Sequence, residues 1–288
     1  MRRQEGNGQG AQVVVHKTEA LTLKCTDYSE TSQVVALLTR EMGKVRLLAK
    51  GSRRGKTNFG GPLEPWMRAE ALFSLRDPNR LGTLTEFYEV EGFRGLREDL
   101  QAYRAACCIT ELVLALVPDL QPQSRVFDLT IDVLRLLARG RRSRPEKQSS
   151  AGRGAAKGRK KTGAAEASDN VASVMVFYFE VQLLQMLGYW PGFRDACIEC
   201  DRKLPTGSLR EFSPSLGGLL CQACKVKTND VIVLKPKAVE AMEFLTQAKT
   251  EQLQRVRLNP ETARQMRTVM KRMTSQILGR ELVCGNCA

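Results

Sequence analysis

Histidine is almost missing from this chain. His16 is the only one among 288 residues, and it lies in the polar approach to the first strand pattern. With this single histidine expected ahead of the folded part, Ser-His-Asp triads and Cys-His nucleophile pairs are not expected, and two-histidine zinc hydrolase motifs are excluded by count. Long apolar runs are missing too. The longest candidate, Leu112 to Val117, stops at Pro118, well short of the ~18 residues that span a bilayer. No Gly-x-x-x-x-Gly-Lys-Ser/Thr phosphate loop occurs, and no acidic pair stands out as general acid and base. These absences point away from an enzyme. Met1 to Gln12 are polar and Gly-rich, which does not fit a secretory signal, so a soluble cytoplasmic protein is expected. Thiols stay reduced there, and the nine cysteines read as metal ligands or buried thiols rather than disulfides.

Negative charge is the scarcer sign: 31 Asp/Glu stand against 45 Lys/Arg, a net charge of +14. Such an excess suits a polyanionic partner such as nucleic acid. Its distribution tempers the inference, because Arg139 to Lys161 holds ten Lys/Arg and only Glu146, so this stretch alone supplies +9. A basic, disordered insertion is expected at about 139–169, and its composition leaves a solvated linker and a binding tail equally open.

Local periodicity divides the rest. A polar extension is expected over 1–17 and a small barrel over 18–92. Leu21, Leu23 and Cys25 alternate with Thr22 and Lys24, and Ala69, Ala71, Phe73 and Leu75 with Glu70 and Ser74, the period of half-buried strands. Further strands are expected at Gln33 to Arg40, Lys44 to Ala49 and Thr83 to Val90. From 93 to 288 the pattern turns helical. Leu96, Leu100, Tyr103, Cys107, Leu114 and Val117 are placed on one helix face, and Val126, Leu129, Val133 and Leu136 on a second. A third helix begins at Asp169 or Asn170, carries Val174, Phe177, Val181 and Leu184, and ends at Gly188. Two more cover about Lys237 to Lys249 and Pro260 to Leu278, the last capped by Asn259. The fold class is therefore α+β: a barrel, then a helical domain with an inserted metal module.

That module, at about 194–226, rests on Cys197-Ile-Glu-Cys200 and Cys221-Gln-Ala-Cys224, separated by twenty residues. The spacing marks a zinc site, with two thiolates per tight turn completing a tetrahedron at Zn–S distances of about 2.3 Å. Four sulfurs leave no open position, so one structural Zn2+ per chain is expected. A further pair, Cys284 and Cys287, leaves four readings open: a frayed terminus, a substitute knuckle, an intermolecular site or a redox dithiol. Cys25, Cys107 and Cys108 fit buried apolar positions.

Lys44, Arg46, Lys50, Arg53, Arg54 and Lys56 follow one another without an intervening acid. Cations on a strand and a Gly/Ser-containing loop can track a phosphate backbone, so these six are the expected DNA contacts, with Phe59 and Trp66 as stacking faces beside them. Arg264, Arg267 and Lys271 share a face of the last helix, opposite Met266, Met270, Met273 and Ile277, making that helix first a packing element and second a basic surface.

With these residues assembled, the chain resembles the RecO family of bacterial recombination and DNA-repair mediators. The likeness lies in Glu19-Ala-Leu-Thr-Leu, Tyr28-Ser-Glu, Val35-Ala-Leu-Leu-Thr-Arg-Glu-Met-Gly-Lys44 and Ala49-Lys-Gly-Ser-Arg-Arg54. Leu96-Arg-Glu-Asp-Leu100 and Leu187-Gly-Tyr-Trp-Pro191 extend it. The resemblance implies an OB-fold barrel, a helical domain with a zinc module, and no catalytic turnover. It also implies binding of single- and double-stranded DNA and annealing of complementary strands. Its implied partners are RecR and single-strand-binding protein (SSB), with recombinase loaded onto SSB-coated strands in the cytoplasm at the nucleoid. The basic insertion and the Cys284/Cys287 pair depart from the family pattern. The rival reading is a zinc-stabilised adaptor that mainly binds protein partners and touches DNA weakly.

Overall fold

The computed structural model describes residues 14–54, 58–77, 80–139, 162–190, 192–193, 195–205 and 207–283, with backbone alone over 162–170. Five strands form the N-terminal unit: β1 (Val14–Asp27), β2 (Gln33–Thr39), β3 (Gly43–Ala49), β4 (Arg68–Leu75) and β5 (Gly82–Glu91). They close in the order β1-β2-β3-β5-β4, with β4 returning to β1. β3 and β5 pair in parallel and every other contact is antiparallel. A closed five-stranded barrel of this order is an OB-fold.

Alternation builds its interior. Gly43, Val45, Leu47 and Ala49 of β3 point inward while Lys44, Arg46 and Leu48 face out. Val35 and Leu37, Ala69, Ala71 and Phe73, and Leu84 and Phe87 meet them in one core. In β1 the period slips: Leu21, Thr22 and Leu23 are all buried, because the register to β2 shifts between Thr22 and Lys24. Such a bulge puts consecutive side chains on one face. β1 also starts at Val14, so part of the stretch expected to be a polar extension is strand. His16 stands within it, its ring centroid 5.5 Å from that of Phe73.

Pro118–Phe127 belongs to the barrel unit, although the sequence pattern assigns it to the helical domain. Leu120 donates its N–H to the Lys44 carbonyl at 2.9 Å and packs on the barrel core. The passage is tight: at Gly43, φ +73°, a Cβ would lie 1.9 Å from the Gln121 carbonyl oxygen. Only glycine fits.

The second unit comprises Phe93–Val117 and the chain from Asp128. A 3-10 turn at Arg94–Arg97 leads to α1 (Leu100–Leu116), followed by α2 (Ser124–Arg139), whose first turn groups with the barrel, and α3 (Thr162–Met186). Then come β6 (Arg210–Ser213), β7 (Gly218–Leu220), α4 (Gln222–Lys225), β8 (Ile232–Leu234), α5 (Pro236–Gln247), α6 (Thr250–Leu253) and α7 (Pro260–Leu278). Asp99 caps α1, accepting from the Gln101 and Ala102 amides at 2.8 and 3.1 Å. The face expected for α1 is corrected. Its buried side is Ala102, Ala105, Ala106, Cys108, Ile109, Leu112, Val113 and Leu116, whereas Leu100 and Tyr103 are 63% and 44% exposed. Its alanines carry too little apolar weight to mark that face in sequence.

α3 is buried on all sides, from Val174 through Phe179 to Leu184, which makes it the axis of the helical unit. It starts at Thr162, ahead of the expected Asp169 or Asn170. The rest of the expected insertion, 140–161, lies outside the described residues. Gln182 of α3 donates to the Leu245 and Thr246 carbonyls at 2.8 and 3.0 Å, closing the end of α5. Asn259 caps α7 by accepting from the Thr262 amide at 2.8 Å, and α7 keeps its expected bounds.

One polar pair sits in this apolar setting. Glu180 Oε2 and Arg267 Nε are buried without a hydrogen-bond partner. Burial pushes the Glu180 carboxyl from 4.5 up to about 8, only partly opposed by the Arg267 charge. An acid whose folded pKa is raised is protonated more readily in the folded state, so folding loses stability as pH rises from about 4.5 through about 8. Glu180→Gln should therefore gain on the parent progressively over that window in melting experiments. A constant offset at every pH would contradict this.

Candidate metal centre and nucleic-acid face

The metal module is built by short elements. β6 pairs with β7 and β8 to give a three-stranded sheet of order β7-β6-β8, an element not visible in the sequence because its strands hold only three or four residues. The first knuckle bends back on itself: Cys197 donates its N–H to the Arg202 carbonyl, and Asp201 donates to the Cys197 carbonyl, each at 2.9 Å. Asp201 takes the left-handed conformation, φ 55°. The second knuckle runs into α4, with Cys221 accepting from Cys224 and Lys225 at 3.1 and 3.0 Å. An amide from Ile198 to the Leu219 carbonyl, 2.8 Å, ties the first knuckle to β7.

Together these turns bring the four sulfurs of Cys197, Cys200, Cys221 and Cys224 within 4.8 Å of one another. Cys200 and Cys221 Sγ stand 3.7 Å apart. That is far beyond a disulfide bond and close to the ~3.8 Å edge of a tetrahedron with metal–sulfur bonds of about 2.3 Å. Cys197, Cys221 and Cys224 are buried and Cys200 is exposed. Burial alone would push the Cys197 thiol up, but amides of Cys221, Cys200 and Glu199 hydrogen-bond its sulfur and bring it down to about 6. A hydrogen bond from its thiol to the Cys221 sulfur, and then burial, push Cys224 up to about 12. The donor set thus fits a metal ion. Cys284 and Cys287 lie outside the described residues.

The six expected DNA contacts separate in the structure. Arg46 and Lys50 are exposed on the outer side of the barrel, and Arg54 is exposed in the following loop. Arg53 pairs with Asp27 at 2.9 Å. Lys44 is largely covered by the Pro118–Phe127 segment, its Nζ 3.2 Å from Asp119 Oδ1, which commits its charge to the fold. Lys56 lies outside the described residues. The stacking role expected of Phe59 and Trp66 is overturned: they are only 8% and 3% exposed. Phe59 fills the barrel core, and the Trp66 N–H goes to the Thr22 carbonyl at 2.8 Å.

Register adds a cation that the linear cluster does not contain. Lys24 of β1 is opposite Ala36, which is opposite Arg46, so two exposed cations flank a small residue across three strands. Thr26, Val34 and Leu48 form the next outward row. Alternation from Cys25 marks Lys24 as outward-facing, but only strand pairing sets it beside Arg46.

A buried amide fixes the basic loop. Gln33 Nε2 donates to the Leu63 carbonyl at 3.1 Å, and its Oε1 accepts from Ser52 Oγ at 3.0 Å and the Leu63 N–H at 2.9 Å. Gln33→Leu would strand three buried polar groups, which should cost about 2–4 kcal/mol. Urea unfolding would show this, and a change under about 0.5 kcal/mol would contradict it.

In the helical unit, Arg264, Arg267, Lys271 and Arg272 of α7 line a cleft of about 630 Å³. Lys271 pairs with Glu281 at 3.0 Å and Arg272 with Asp230 at 2.9 Å. Met266, Met270 and Met273 are buried on the helix's other side, as its pattern predicts. Among the described residues no helix is long and apolar enough to cross a membrane.

A closed barrel of OB strand order, a helical unit built around α3, and a four-cysteine module able to hold a metal ion define an OB-fold protein with a helical C-terminal part. Residues 13–93 match the family described as Recombination protein O N terminal, and 97–147 with 165–283 match Recombination protein O C terminal. The chain belongs to the RecO family of DNA repair proteins. Curated relatives named DNA repair protein RecO include that of Anaeromyxobacter sp. (strain K), 30% identical over 266 residues and 92% of each chain. That of Symbiobacterium thermophilum is 30% identical over 254 residues, 87% of each chain. A shorter match, 39% over 127 residues, covers 44% of this chain and 49% of the Salinibacter ruber protein. The stretch between the two C-terminal family matches falls inside the basic insertion.

Proposed function

We propose that the chain is a non-catalytic DNA repair and recombination mediator. It binds DNA, promotes annealing of complementary single strands and, with RecR, helps load recombinase onto SSB-coated DNA. The observation that carries the DNA reading is the outer barrel face, where Lys24, Arg46, Lys50 and Arg54 are exposed on a frame closed by hydrogen-bonded strands. A rigid cationic face loses little conformational entropy on binding. RecR and SSB are proposed from family membership. The ion of the module is proposed to be Zn2+, structural because four sulfurs fill its coordination. Binding to DNA should weaken log-linearly with salt as counterions are released.

One feature favours the adaptor reading. A cleft of about 360 Å³ beside α5 is lined by Phe244, Leu245 and Val256 with Lys237 and Arg257, and Phe244 is 44% exposed. A salt titration of DNA binding separates the two. A steep slope supports the mediator, and weak binding with a shallow slope supports the adaptor.

A further inference from the structure

We propose that Tyr28 is a base-stacking platform that makes the barrel face select unpaired strands. This rests on the reading of that face as the DNA site. Tyr28 directly follows β1 and is 66% exposed. Its backbone is nonetheless fixed: its N–H donates to the Ser32 carbonyl at 2.9 Å, while Ser29 and Ser32 exchange amide bonds at 3.2 and 3.4 Å.

The turn is also stitched to the basic loop. Gly51 donates its N–H to Ser32 Oγ at 3.2 Å, Arg53 donates to the Thr31 carbonyl at 3.1 Å, and the Arg53 guanidinium holds Asp27. An exposed aromatic residue thereby stands in a turn that is bonded to the loop carrying Lys50, Arg53 and Arg54. Behind it the outward row of Thr26, Val34 and Leu48 includes half-buried apolar side chains, and the Lys24–Ala36–Arg46 row lies beyond. Glu30, exposed in the same turn, repels phosphates there.

Cations along a track with an aromatic face beside it is the arrangement that holds single strands: phosphates meet the charges and an unstacked base meets the ring. A duplex keeps its base faces covered by stacking, so the ring adds nothing to duplex binding. The stacking residue is then Tyr28 rather than the buried Phe59 and Trp66.

The test compares binding of the full chain to an oligothymidine and to a duplex of equal length. Tyr28→Ala should weaken the oligothymidine about tenfold, leaving duplex binding and both salt slopes unchanged, while Tyr28→Phe retains the preference. In Tyr28→Trp, indole fluorescence should be quenched by the oligothymidine and not by the duplex. An unchanged ratio of single- to double-strand affinity in folded Tyr28→Ala overturns the proposal. An Arg53→Ala/Arg54→Ala variant run in parallel separates the two levels. If it weakens both ligands while Tyr28→Ala weakens neither, stacking fails and the barrel site stands. If it alters neither ligand, the barrel site itself fails.

Discussion

Serine in place of Cys197 or Cys221 should abolish metal binding and unfold the module around it. Three of the four sulfurs are buried, and the sheet they anchor has strands of only three or four residues. Phe212, Leu219, Leu220 and Leu234 form a small apolar patch, too small to fold such a sheet unaided. Structural zinc contributes about 10–16 kcal/mol to the folding of comparable sites, as much as the whole stability of an ordinary domain, about 5–15 kcal/mol. The parent chain should hold about one zinc, and the serine variants none, with protease cleavage appearing between β6 and β8. Replacing Cys284 and Cys287 should leave the metal in place. Zinc lost with that pair and kept without Cys197 would overturn the ligand assignment.

The double replacement Arg53→Ala/Arg54→Ala should weaken DNA binding, slow annealing and lower the duplex salt slope by at most about two. Arg53 already holds Asp27 at 2.9 Å. Its loss therefore removes a cation and also leaves a carboxylate beside the DNA path, so the two effects are coupled rather than additive. Adding Asp27→Asn to the double variant should restore part of the affinity. No change in affinity or slope in a folded, metal-loaded variant would move the DNA site to the α7 cleft or to the insertion.

Signals confined to neighbouring residues are legible in the sequence alone. Strand alternation in β3 and β4, the Asn259 cap with Pro260, and the paired cysteine knuckles are each written within a few residues, and the structure places them as expected. Features that depend on distant pairing were hidden. The bulge at Thr22, the Lys24–Arg46 row and the Gln33 clamp exist only once strands are in register. Lys44 reads as an open cation until Pro118–Phe127 covers it with Asp119. The alanine face of α1 and the strands of the metal module carry too little apolar signal to announce themselves. Aromatic residues misled for the opposite reason: Phe59 and Trp66 stand in a polar stretch of sequence yet fill the interior, while Tyr28 lies outside.

The most direct measurement is the rate at which complementary oligonucleotides anneal when each is coated with single-strand-binding protein, with and without the chain. Marked acceleration by the parent is expected at low to moderate salt, and little by the Arg53→Ala/Arg54→Ala variant. An unaccelerated rate with fully folded, metal-loaded parent chain would contradict it.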